Sequence, residues 1–466
     1  MVKREFRKSL ITLTRIGILL FVLSVSLFAQ GKNPVIFIPG LSGSELKHKE
    51  TGEKIWFNPF RSKSGDLRLP VSSDIAKNHD NLIAGDIIRT FKLGGLAIAD
   101  IYGGCIKALE IRAGYHEESW DKPSMDGYED SIYIFPYDWR LDNVENARLL
   151  MHKLDGLKQK LKKPDLKFDI IAHSMGGIIS RYAAMYGDAD LPDGGDKPVP
   201  TWAGAMYFDK IILLGTPNEG SALSLDVLVN GVTLGGVPIY LPFLQDTSKF
   251  AAFTIPSAYQ LLPAPGTLRV FDDKFKLIDI DIYDPKVWSK YGWNAIDDKG
   301  FSKVFNVEEQ KTASTYFAMQ LNRSKRLHEA LGAAQGKTGG ISFHVVGADC
   351  KPALDSIVVY RDEKNDKWKT LFRPKGFTRA DGVKITDNEL KKVMYSPGDG
   401  IVTRRSLEDI HESHDAGVES ILKNIPGKFI CEEHNKLAAN AKIQDYIIDV
   451  LDNSKVKNVT GSDPVH

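Results

Sequence analysis

Ala172-His173-Ser174-Met175-Gly176-Gly177 decides the fold of this chain. Upstream, Phe168-Asp169-Ile170-Ile171-Ala172 alternates and then runs apolar, as a strand buried in a parallel sheet does. Downstream, Ile178, Ile179, Tyr182, Ala183 and Tyr186 recur at three- and four-residue steps, and Gly187 is placed to end a helix. The chain is therefore predicted to turn sharply from strand to helix at Ser174. Small residues at 172, 176 and 177 let the two elements approach closely, holding the serine in strained dihedrals with its hydroxyl exposed. A nucleophile belongs there.

Working outward, residues 34–38, 130–135, 210–214, 341–346 and 428–431 read as further strands. Asp142 followed by Glu145 resembles a capping box, and Ala147, Leu150, Met151, Leu154, Leu157 and Leu161 then form a helical stripe. Strands alternating with helices predict an α/β fold, a mostly parallel central sheet flanked by helices. Two stretches interrupt the rhythm. Residues 47–128 are too long for a simple crossover. Residues 218–340 include a Gly-rich run before Ile239-Tyr240-Leu241-Pro242-Phe243-Leu244 and read as a cap or lid over the site. The expected organisation is a signal peptide at 1–29, a first core part at 30–217 with the insertion 47–128, the cap at 218–340, and a second core part at 341–466.

The 61 basic and 60 acidic residues nearly cancel, so no global field invites nucleic acid. At the N-terminus, Lys3, Arg4, Arg7 and Lys8 precede an apolar run that ends in Leu27-Phe28-Ala29-Gln30. This pattern predicts export, with cleavage after Ala29, to a periplasmic or secreted location. An uncleaved anchor is the alternative; residues 9–29 nearly span a bilayer but are broken by Arg15. Cys105, Cys350 and Cys431 are too few for a disulfide scaffold and too scattered for zinc, and read as buried free thiols, with a Cys350–Cys431 bridge as the alternative.

A serine hydroxyl needs a base within hydrogen-bond reach, oriented by an acid. His434 follows the last short strand and precedes a helix predicted over 435–451, which makes it the best base. His411 and His414 lie in a charged run and read as a solvated loop rather than a metal pair. Asp399, in the turn Pro397-Gly398-Asp399-Gly400-Ile401-Val402, is the preferred acid; Asp349, directly after the strand at 341–346, is its rival. The oxyanion donors are expected to be the amides of Met175 and Leu41, the latter in the Gly-rich loop after the first strand. His173 reads as a packing residue, and the chemistry requires no metal or organic cofactor.

VIFIPGLSGSEL at 35–46, FPYDWR at 135–140, AHSMGG at 172–177, GDGIVTRRS at 398–406 and His434 together resemble the lecithin:cholesterol acyltransferase type of α/β-hydrolase, which includes lysosomal and bacterial lipases and phospholipases. The resemblance implies an α/β-hydrolase fold with Ser174, Asp399 and His434 as triad, Leu41 and Met175 as oxyanion donors, and Asp138-Trp139-Arg140 as support. It also implies a lid, peripheral membrane contact and a lipid ester substrate. Animal members close a tryptophan-bearing membrane loop with an early disulfide, whereas here Trp56 has no cysteine partner nearby. Gly215-Thr216-Pro217-Asn218-Glu219-Gly220-Ser221 and Ala172 look more like bacterial lipases, favouring hydrolysis over acyl transfer to a sterol. A non-catalytic lipid-binding protein on the same fold is the rival of another class.

Overall fold

The computed structural model describes residues 32–58, 67–93, 96–192, 196–231, 248–333, 338–363, 365–409, 420–422 and 425–452. The proposed signal peptide, the apolar segment 239–244, His411 and His414 lie outside the described residues. The central sheet contains seven strands: β1 (Val35–Ile38), β2 (His116–Glu117), β3 (Ser131–Ile134), β4 (Phe168–His173), β5 (Phe208–Leu214), β6 (Ser342–Gly347) and β7 (Lys428–Phe429). Their spatial order is β7-β6-β5-β4-β1-β3-β2, and every pairing is parallel. Ile36, Phe37, Ile170, Ile171, Ile212 and Leu213 are fully buried, which requires a covering layer on both faces.

Helices supply those layers. Among them are α1 (Gly103–Ala113), α2 (Asn143–Leu161), α3 (Met175–Tyr186), α4 (Val307–Gly332) and α5 (Ala441–Leu451). One group packs α1 against α5; another packs α3 between α2 and α4. Asp142 caps α2 by accepting from the Val144 and Glu145 amides. Only half of the predicted capping box forms, because the Glu145 carboxylate turns to His79 at 3.1 Å. The helix predicted over 435–451 divides in two: His434–Lys436 is one 3₁₀ turn, and Asn440 starts α5 by accepting from Lys442 and Ile443.

Described parts of both long stretches join the core. His116–Glu117, inside the stretch read as an insertion, adds the edge strand to the central sheet. Helix α4 belongs with the core: its Tyr316, Phe317, Leu321, Leu327 and Leu331 are buried, and Ala330 and Leu331 accept from Tyr186 and Arg181 of α3 at 2.8 and 2.9 Å. Arg269–Phe271 pairs in parallel with residues of Ser356–Asp362, within a second sheet of four strands that crosses the boundary expected at 340. Long-range pairing of short segments leaves no periodic signal, which is why sequence pattern missed both joins.

Candidate active site

At the end of β4 the backbone reverses into α3 through Ser174, whose φ of 53° and ψ of −124° lie outside the helical and extended regions. Close packing on either side enforces the turn. A Cβ at Gly176 would lie 2.5 Å from the Pro39 carbonyl oxygen, and one at Gly177 would lie 1.9 Å from Thr216 Oγ1. Ala172 is still in the sheet, in register with Ile38 and Leu213, so an alanine Cβ is accommodated.

His434 sits on its 3₁₀ turn with Nε2 2.9 Å from Ser174 Oγ and Nδ1 2.6 Å from Asp399 Oδ2. Asp399 is fully buried at the end of strand Tyr395–Gly398, and its other oxygen accepts from the Ile401 and Val402 amides at 3.0 and 2.8 Å. The turn thus aims one oxygen at the imidazole and ties down the other. Asp349 is half-buried and pairs instead with Arg404 at 2.8 Å. Of the two candidate acids, only Asp399 meets His434.

The loop after β1 forms the opposite wall. A turn closes from the Gly43 amide to the Gly40 carbonyl at 3.0 Å, and Leu41 lines a cavity of about 110 Å³ with Ser174 and His434. Met175, first residue of α3, has a backbone N–H without an intrahelical acceptor. A Cβ at Gly40 would stand 2.8 Å from that of Ser174, so only glycine allows this approach. The rest of the cavity is largely apolar: Ile88, Ile101, Leu223, Val227, Leu261 and Val402 face it.

Supporting residues come from all over the chain. Tyr137 donates to the Pro39 carbonyl at 2.9 Å, and Ser44 Oγ accepts from its amide. Arg140, with no exposed side-chain surface, pairs with Asp138 and Asp80 at 2.7 and 2.6 Å, binding residues of the 47–128 stretch to the core. Trp56 is fully buried and donates to the Ser42 carbonyl at 2.9 Å, so it buttresses the loop rather than standing at the surface.

Sequence reasoning missed two features and ranked a third second. Gly215-Thr216-Pro217-Asn218-Glu219-Gly220-Ser221 is stitched to the segment around the Asp399 turn: Ser221 donates to the Ile401 carbonyl at 2.8 Å and Ser406 to that of Gly220 at 2.7 Å. Cys350 and Cys431 form a disulfide, correcting the free-thiol reading; β6 and β7 are adjacent, so the loops leaving them meet although 81 residues separate the cysteines. Cys105 is free and buried. Third, His173 is more than packing. Its Nδ1 lies 3.0 Å from the Tyr102 hydroxyl and its Nε2 3.1 Å from the His434 carbonyl. Burial first, then the neighbouring His434, holds its pKa down at about 3, so the ring is neutral. A neutral polar partner of this kind has no sequence signature beyond the histidine itself.

No curated protein sequence matches the chain. Among solved structures, one chain of the Tle4–Tli4 complex aligns over 91% of this chain and 99% of its own length, at 13% identity and a TM-score of 0.49. The lipase BlEst2 of Bacillus licheniformis in its mature form aligns over 91% of this chain and 93% of its own, at 13% identity and a TM-score of 0.35. EstA of Clostridium botulinum aligns over 91% and 88%, at 13% identity and a TM-score of 0.34. The profile of the lecithin:cholesterol acyltransferase family matches residues 121–409, more than half of the chain. The matched stretch includes Ser174 and Asp399, while Leu41 and His434 lie outside it. With its parallel sheet, its strand-to-helix turn at a serine and this match, the chain belongs to the lecithin:cholesterol acyltransferase family of the α/β-hydrolase fold.

Proposed function

We propose that the protein is an exported serine lipase or phospholipase-type hydrolase of lipid acyl esters. Family membership supports acyl-ester hydrolysis or acyl transfer, and one observation carries the finer reading: Ser174 Oγ, His434 and Asp399 stand in hydrogen-bonding line at an apolar cavity. In this reading His434 Nε2 takes the Ser174 proton as Oγ attacks the ester carbonyl. The amides of Leu41 and Met175 receive the negative charge that develops on the carbonyl oxygen. His434 then protonates the departing alkoxide, and Asp399 stabilises the imidazolium between the two transfers. Water then gives a proton to His434 as its oxygen attacks the acyl carbonyl, and the Ser174 Oγ–acyl bond breaks as His434 returns that proton to Oγ, releasing the fatty acid.

An apolar cavity favours an acyl chain over a peptide or a charged substrate. Export is supported by the basic and then apolar N-terminus and by the Cys350–Cys431 bridge, since disulfides persist in oxidising compartments. The test is to incubate the purified mature protein with mixed phospholipid vesicles, with and without a sterol, and to identify products by mass. Free fatty acid, lost on Ser174→Ala together with fluorophosphonate labelling, is the expected outcome. Steryl ester as the main product would move the reading to acyl transfer, and persistent labelling of the variant would remove Ser174 as nucleophile.

A further inference from the structure

A continuous hydrogen-bonded chain runs along the wall of the cavity, where Tyr102 and His173 stand beside Ser174, and joins the loops that carry Leu41 and His434. The Gly40 amide donates to the Tyr102 hydroxyl at 2.9 Å. That hydroxyl lies 3.0 Å from His173 Nδ1, and His173 Nε2 lies 3.1 Å from the carbonyl of His434. Donor and acceptor roles follow without ambiguity. The His434 carbonyl can only accept, so Nε2 carries the imidazole proton, Nδ1 is an acceptor, and the tyrosine O–H donates to it. The neutral state of His173 and the burial-raised pKa of the Tyr102 phenol keep these protons in place at physiological pH.

Both ends of this chain bear on catalytic geometry. The Gly40–Leu41 peptide is planar, so the Leu41 N–H points opposite to the Gly40 carbonyl. The Gly43 amide holds that carbonyl and Tyr102 holds the Gly40 amide, which together fix where the Leu41 N–H aims. At the other end the His434 main chain is held on two sides, its N–H by the Asp399 carbonyl at 3.0 Å and its own carbonyl by His173. The two rings also pack, with His173 and His434 centroids 4.9 Å apart and Tyr102 edge-on to His173 at 5.5 Å. Tyr102 leads into α1 from the stretch that looked like an insertion, so that stretch completes the site.

We propose that Tyr102 and His173 are positioning residues for acyl transfer, a buried relay that sets the Leu41 oxyanion donor and the His434 base at a fixed separation. The proposal rests on the Ser174-His434-Asp399 reading. His173 is not a second base: both ring nitrogens are already engaged within the relay, and its proton is committed to the His434 carbonyl. The relay acts on transition-state geometry, so its loss lowers kcat and leaves ground-state binding nearly unchanged.

The test uses the full mature chain, a soluble short-chain acyl ester and a fluorophosphonate, with Tyr102→Phe, His173→Leu, His173→Gln and Ser174→Ala. Phenylalanine keeps the ring and removes the hydroxyl, leaving the Gly40 amide without its acceptor. Loss of a whole oxyanion donor costs about 10²–10³ in kcat, so a misaimed one is expected to cost roughly 10–100-fold, with KM changed less than about threefold. His173→Leu should fall as far. His173→Gln, whose side-chain amide can donate to the His434 carbonyl, should recover about a tenth or more of wild-type kcat. Rescue by Gln but not Leu, at equal melting temperature, is a result that a purely structural role would not give.

Wild-type kcat in Tyr102→Phe, or equal activity of the Gln and Leu variants, overturns the relay. Should Tyr102→Phe fail to fold, the His173 pair decides alone. Ser174→Ala separates the two levels of inference. Turnover surviving in that variant removes the underlying triad, whereas its loss alongside an unaffected Tyr102→Phe removes only the relay.

Discussion

His434 is bonded to Asp399 twice, through its side chain at 2.6 Å and through its main-chain N–H, which donates to the Asp399 carbonyl at 3.0 Å. The two residues are thereby one structural unit. Replacing Asp399 with Asn keeps the main-chain bond and the shape but removes the charge and disfavours the working tautomer. A loss of kcat on the order of 10⁴-fold is expected, with little change in melting temperature. Asp349→Asn, which breaks only the pair with half-exposed Arg404, should stay within about twofold of wild type. Steady-state kinetics on a soluble ester checks both, and the reverse ranking would make Asp349 the acid.

The Cys350–Cys431 bridge joins the same unit from outside. Cys350 precedes strand Lys351–Leu354, which pairs with strand Tyr395–Gly398 immediately before Asp399, and Cys431 lies three residues before His434. Closing a loop of 81 residues contributes about 4.5 kcal/mol on the chain-entropy account. Reduction, or Cys350→Ser with Cys431→Ser, should therefore lower the urea midpoint. It should also abolish ester turnover at urea concentrations where the far-ultraviolet signal is still native. Coincident loss of the two signals would show that the bridge does not act locally.

Below neutrality His173 should make stability depend on pH. Its pKa is about 3 in the folded chain and 6.5 when unfolded, so between these values the unfolded state binds more protons. The contribution is complete above about pH 6.5 and is lost as pH falls towards 3, by up to about 1.4 kcal/mol per pH unit. Asp169, pushed up to about 6 by burial, contributes with opposite sign, being lost as pH rises through that value. Comparing wild type with His173→Gln cancels Asp169, and urea titrations at pH 5 and 7 should show a shallower acid decline in the variant.

Gly177→Ala should destabilise the fold by about 1–3 kcal/mol, because its Cβ would occupy the place of the Thr216 side chain. Thr216→Ala in the same chain removes the two nearest atoms and should restore part of the loss. A double-mutant cycle in urea measures the coupling; additive effects would mean that the neighbouring backbone simply moves aside.

What could be read from sequence follows physical locality. The strand at 168–173 and the turn at Ser174 are legible because an uninterrupted apolar run and two crowded glycines act within ten residues of each other. Asp399 is legible in part, since a turn with two glycines is local, yet its preference over Asp349 depends on which carboxylate the fold delivers to His434. The cysteine bridge and the pairing of Arg269–Phe271 with Ser356–Asp362 depend on distant segments meeting. Tyr102 and His173 were illegible for a further reason: a hydroxyl and an imidazole meeting inside the core are individually common, and only their shared geometry carries meaning.

Ser174 and His434 are 260 residues apart in the chain. At about 5–20 residues per second, synthesis delivers Ser174 roughly 13–50 s before His434. A nascent chain that ends before residue 434 therefore carries a reactive-looking serine with no imidazole from that position to deprotonate it. The contact between Ser174 Oγ and His434 Nε2 at 2.9 Å therefore cannot exist in any chain shorter than 434 residues, however much of the central sheet has already formed.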